Sequence, residues 1–169
     1  MSNEFQSEPA LLIIDVQKGF VGSQLVSLAQ RIERLQASYN HIGIIRFSNL
    51  PESGYRKWIG WNQLTPGTTE TSLVFTARPD ARHFEKHGYS AFLTPLCEWL
   101  ETLEIKEVHL CGIRTENCIL KTACDFFEYN RWKPCVLAEY CGSPYPELHN
   151  AGLEIIKTMI GEEQVLGKS

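Results

Sequence analysis

The run ALLII at residues 10–14 has no polar interruption and ends on Asp15, a pattern that predicts a strand buried on both faces of a parallel sheet. From Ser23 to Tyr39 the period changes: Leu25, Leu28, Ile32 and Leu35 fall at helical spacing, so a helix follows. HIGIIRF (41–47) predicts a second strand, SLVFTA (72–77) a third, EVHLCG a fourth, KPCVLAEYCG a fifth and EQVLG a short sixth. Between them SAFLTPLCEWLETLE, opened near Pro95, TENCILKTACDFFEYN and PELHNAGLEIIKTMIG carry helical patterns, the last ended by Gly161. Strands alternating with helices imply right-handed crossovers. The expected fold is α/β: one domain over residues 1–169, three layers, and a mainly parallel sheet of five to six strands with helices on both faces.

One stretch breaks the alternation. Residues 48–72 contain Pro51, Gly54, Gly60, Pro66 and Gly67, too many breakers for a regular element. A long excursion of this kind is usually functional or disordered, and Tyr55, Trp58 and Trp61 argue against disorder.

Charge narrows the partner. The net charge of −4 offers no basic stripe for a phosphate backbone, so a small molecule is expected in place of a nucleic acid. The apolar runs are too short to cross a bilayer, and the start, MSNEFQSEPA, is polar and acidic, unlike a secretory leader. A cytoplasmic protein is expected. Cysteines 97, 111, 118, 124, 135 and 141 include no CxxC pair, and several sit in apolar segments as small hydrophobes, so no disulfide is expected.

Open parallel sheets hold their sites at the carboxyl ends of the strands. There the first strand ends on Asp15, the third leads toward Lys86, and the fourth ends at Gly112 and leads into Cys118. Each has a plain alternative when taken singly: a turn cap, a solvated charge, a core thiol. With Thr115 as N-cap, Cys118 falls in the first turn of a helix, where free N–H groups and the helix dipole stabilise a thiolate. Asp15 could accept the thiol proton while Lys86 holds both anions, which makes a Cys-Asp-Lys triad.

These segments resemble the isochorismatase-like family of cysteine hydrolases, which includes nicotinamidases and N-carbamoylsarcosine amidohydrolase. IIDVQKGF resembles the family's D-x-Q-x-x-F motif through Asp15, Gln17 and Phe20; FEKHGYSAF resembles the segment with the family's lysine, here Lys86. CGIRTENCIL resembles its G-x-x-T-x-x-C turn through Gly112, Thr115 and Cys118, and the likeness continues through AEYCGSPYPELHNAGL. The resemblance implies hydrolysis of a small amide or related C–N bond through an acyl-thioenzyme. Cys118 is then the nucleophile, Asp15 the proton shuttle and Lys86 the electrostatic partner. The backbone N–H groups of Arg114 and Cys118 form the oxyanion hole beside a cis Ile113–Arg114 peptide. It also implies a homo-oligomer, and no cofactor is expected. Alternatives are the vinyl-ether hydrolysis of isochorismatase itself, which relies on the aspartate, and a non-catalytic or redox-sensitive binding module.

The sequence departs from nicotinamidases where their metal site stands after strand two. RFSNLPESGYRKW holds no histidine and no Asp-x-His pair, and His83 and His87 lack a third ligand, so no metal is expected. Substrate choice is assigned to Phe20, Asn49, Trp58 and Trp61, with an arginine of the same loop, Arg46 or Arg56, available for a carboxylate. The tryptophans could equally bury the loop against the body or a neighbouring subunit.

Overall fold

A computed structural model describes residues 8–167; residues 1–7, on which the reading of the polar start rested, lie outside them. Its centre is a sheet of six parallel strands in the order β3-β2-β1-β4-β5-β6. These are β1 Ala10–Ile14, β2 His41–Phe47, β3 Arg82–Lys86, β4 Glu107–Ile113, β5 Lys133–Gly142 and β6 Val165–Leu166. The α-helices are α1 Val26–Leu35, α2 Gly54–Ile59, α3 Thr94–Thr102, α4 Leu120–Tyr129 and α5 Pro146–Ile160.

ALLII is buried at every position because helices cover both faces. Leu11 and Ile13 pack with Leu28 and Ile32 of α1, while Leu12 and Ile14 pack with Leu96 of α3, Phe126 of α4 and Ile156 of α5. Each such side chain contributes about 1.5–3 kcal/mol, which anchors β1 at the centre of the sheet. Helix ends follow local chemistry. Pro146 opens α5, where its missing N–H leaves nothing unpaired, and α4 closes on Asn130 in the left-handed region.

Two elements differ from the hydrophobic pattern. SLVFTA is not a strand of the sheet: Leu73 makes an isolated antiparallel bridge to Gln17, and Leu73, Val74 and Phe75 pack onto the α1 side of the core. The third strand is RHFEK, at the sheet edge, paired with β2 from Gly43↔Arg82 to Phe47↔Lys86. Only its Phe84 and Lys86 are buried, so its sequence carries little apolar signal. Within the excursion after β2, six residues form α2 despite the surrounding breakers. Ser53 caps it by accepting from the Arg56 N–H (3.3 Å), and Gly60 closes it at φ 66°, a conformation suited to glycine.

At the middle of the sheet the strand order reverses. From β1 the sheet continues to β2 and β3 on one side, and from β4 to β5 and β6 on the other. Connections leaving β1 and β4 therefore diverge, and a crevice opens at their carboxyl ends.

Candidate active site

Asp15 is the first residue past β1. It adopts φ 57°, donates its N–H to the Ile45 carbonyl (3.0 Å), and is wholly buried. Lys86, the last residue of β3, is 1% exposed, a rare setting for an ammonium unless it is paired. Its Nζ lies 2.8 Å from Asp15 Oδ2 and donates to the carbonyls of Gly88 (2.8 Å) and Tyr89 (3.1 Å). The same nitrogen is 3.5 Å from Cys118 Sγ and 5.2 Å from the centre of the Phe47 ring.

Cys118 arrives from the other side of the reversal. Gly112 passes so close to β1 that a Cβ there would stand 2.1 Å from the Ile14 carbonyl oxygen, at φ 125°. The Ile113–Arg114 peptide is cis, and Thr115–Ile119 then make one π-helical turn that leads into α4. The N–H groups of Asn117 and Ile119 both donate to the Arg114 carbonyl at 3.2 Å. Thr115 is not the N-cap: Arg114 takes that position, and Thr115 Oγ1 pairs with His149 Nδ1 of α5 at 2.7 Å.

Burial governs the proton balance. It pushes the Asp15 carboxyl above its ordinary value of 3.8, against the opposing pull of Lys86 and of a hydrogen bond from Cys118. It also pushes the Cys118 thiol far above the ordinary range, with the Asp15 charge adding to the rise and Lys86 opposing it. For Lys86 burial acts downward, but the charges of Asp15 and Cys118 outweigh it and hold the ammonium above its usual value. Desolvation and the neighbouring carboxylate thus work against the thiolate that the turn's dipole would favour, and Lys86 works for it. The arrangement suits proton transfer from sulfur to Asp15 at the moment of attack.

A cavity of about 420 Å³ opens above Cys118. Trp61 stacks on Phe20 and on Phe47 (5.9 Å each), and Tyr55 meets Phe47 edge-on at 5.2 Å. Of the residues assigned to substrate choice, Phe20 and Trp61 line the cavity and Asn49 and Trp58 do not. Asn49 is fully buried and spends its amide on the carbonyls of Trp61 (2.9 Å) and Gln63 (3.1 Å), so it shapes the wall from behind. Trp58 is 75% exposed beneath Lys57. Of the loop's arginines, Arg56 is tied to the carbonyls of Leu50 and Asn49, and neither it nor Arg46 lines the cavity. Sequence reasoning missed Phe47, Tyr89 and Tyr145 as wall residues. Phe47 ends β2 and Tyr145 follows β5, so applying the strand-exit rule to every strand would have found both.

Among the described residues no group of three potential metal ligands gathers at the cavity. After β2, Ser48 Oγ is engaged by Glu85 and His87, and Asn49 is committed as above, so the donors a metal would need there are absent or spent. Among the described residues the cluster of potential ligands is Glu107, His109 and Cys135, within 4.8 Å of one another at the opposite end of β4 and β5. It is paired there with Lys133 and Tyr39.

The isochorismatase domain profile matches residues 9–164. The chain belongs to the isochorismatase family. Membership makes it a hydrolase of a family that acts on small molecules. No curated protein matches it. Among solved structures it is similar to pyrazinamidase of Pyrococcus horikoshii in complex with zinc. That match has a TM-score of 0.80, 21% identity, and coverage of 90% of this chain and 96% of that one. Nicotinamidase from Bacillus subtilis gives 0.79 at 21% identity, covering 95% and 99%. N-carbamoylsarcosine amidase from Thermoplasma acidophilum gives 0.72 at 21% identity, covering 88% and 92%. At such identity the likeness speaks for the fold. No helix among the described residues is long and apolar enough to cross a membrane.

Proposed function

We propose that this isochorismatase-family hydrolase cleaves a small amide or related C–N bond through an acyl-thioenzyme. The observation that carries the reading is the buried Lys86 ammonium, 2.8 Å from Asp15 and 3.5 Å from the only thiol among the cavity-lining residues. Amidase names among the structural neighbours support the same reaction class.

Asp15 takes the thiol proton as Cys118 Sγ bonds to the carbonyl carbon. The backbone N–H groups of Arg114 and Cys118 receive the oxyanion, a contribution worth several kcal/mol in comparable sites. Collapse of the tetrahedral adduct breaks the C–N bond, and Asp15 returns the proton to the leaving nitrogen. Water then attacks the thioester, again giving its proton to Asp15, and the carboxylic acid leaves as the thiol is restored. Lys86 stays charged throughout and keeps Asp15 oriented. The vinyl-ether reaction has no use for the thiol, whose position on the cavity wall therefore favours the amide.

Turnover of an amide panel, with mass spectrometry of the intact protein, tests this. A Cys118→Ala variant should lose at least about a thousandfold in kcat, and a slow substrate should leave an acyl mass on the peptide holding Cys118. Full turnover by Cys118→Ala would overturn the covalent route.

A further inference from the structure

Among the described residues one charged side chain, Arg114, lines the cavity, and no ion pair engages it. Arg114 stands beside the reacting sulfur, and no carboxylate is among the lining residues described. Its Nε is buried without a partner, and its guanidinium carbon lies 5.6 Å from the centre of the Tyr145 ring. Glu116, the nearest acid in sequence, accepts from Ser143 Oγ at 2.9 Å through Oε1 and faces His149; its Oε2 is buried without a hydrogen-bond partner and makes no ion pair with Arg114. Asp15 is neutralised by Lys86 below the cavity. Phe20, Phe47, Tyr55 and Trp61 give the wall flat aromatic faces, and Gln63 and Asn117 are its uncharged polar groups.

A guanidinium drawn partly out of water and stacked on an aromatic face is stabilised by a planar anion, which it grips with paired N–H groups. We propose that Arg114 makes the site selective for substrates that carry a carboxylate on a flat, mainly apolar body, away from the bond that is cleaved. The inference rests on the amide-hydrolase reading and adds a substrate class to it. Arg114 has a double position: its backbone N–H faces the scissile carbonyl, and its side chain reaches the far end of the same small molecule. Carboxylate and amide are thereby held at a spacing set by one residue.

The probes are isophthalamate and its neutral counterpart isophthalamide, which differ by carboxylate against carboxamide. Wild type should favour isophthalamate in kcat/KM by roughly 10- to 100-fold, the range expected for a charge-assisted hydrogen-bonded pair. Arg114→Gln should bring the ratio close to one, and Arg114→Lys should retain part of it. A second readout needs no turnover: benzoate, and not benzamide, should slow iodoacetamide labelling of Cys118 in wild type, and this protection should vanish in Arg114→Gln. Equal turnover of both probes by wild type, or a ratio unmoved in Arg114→Gln, overturns the selectivity and leaves the amidase reading standing. Protection that depends on Arg114 without turnover of any amide upholds the carboxylate site and overturns the amidase reading. Absence of both turnover and protection overturns both.

Discussion

Asp15 is the neighbour on which the proton balance of Cys118 turns. Its charge is one cause of the raised Cys118 thiol, and its own raised carboxyl fits it to take that proton. Asp15→Asn removes the upward push on the thiol and leaves Lys86 to pull it down. Iodoacetamide labelling of Cys118 should therefore start at lower pH in this variant while amide turnover disappears; unchanged labelling would refute the coupling. In wild type only ionised Asp15 is a base, so kcat/KM should fall on acidification through a pKa above 3.8, the ordinary aspartate value. The places of Asp15 and Cys118 at strand exits were legible in sequence, whereas Lys86 was reached through its resemblance to the family's lysine segment, because the edge strand that ends on it was not. The protonation of the three was not legible, because it depends on how completely they are sealed and on a 2.8 Å ion pair between residues 15 and 86.

Strands and loops were legible in proportion to how many of their own faces they bury. β1 is covered on both sides and reads as an unbroken apolar run, as does the buried Pro134–Ala138 stretch of β5, whereas edge strand β3 buries only Phe84 and Lys86 and is set by its pairing with β2. SLVFTA misled for the converse reason: a loop that packs on the core needs apolar side chains as much as a strand does. In the aromatic excursion two tryptophans three residues apart have opposite roles. Trp61→Ala removes a stacking partner from Phe20 and Phe47 and should raise KM roughly 3- to 30-fold. Trp58→Ala should change stability by less than about 0.5 kcal/mol and leave the kinetics unaltered, which steady-state assays and thermal melts would check. At the β4 exit, Gly112→Ala forces a methyl into the Ile14 carbonyl and should cost about 3 kcal/mol or more. Denaturant titration would measure it, and a loss below 1 kcal/mol would contradict the close approach of β4 to β1.

Across the whole molecule the site is assembled from segments distant in sequence, and Gln17 ties several together. Its side-chain amide donates to the carbonyls of Phe47 and Thr71 (2.9 Å each) and accepts from the Phe47 N–H (2.8 Å), joining the end of β1, the end of β2 and the close of the excursion. Gln17→Ala strands these buried groups and should destabilise the fold by about 2–4 kcal/mol, read as a lowered denaturation midpoint. The sheet class was legible from alternation alone. The cavity was not, since its walls come from β2, the excursion and the segment after β5, which approach one another only once the sheet has formed.

The seclusion of the ion pair and thiol has a further consequence. In the proposed reaction the trio keeps the same total charge when sulfur hands its proton to the neighbouring acid; the proton merely changes owner between groups that are almost wholly buried. Bond cleavage should then be indifferent to ionic strength, and added salt should weaken only the earlier capture of an anionic reactant by the cavity's arginine. Salt thus separates in the flask what the fold already separates in space, the gathering of the molecule and its breaking.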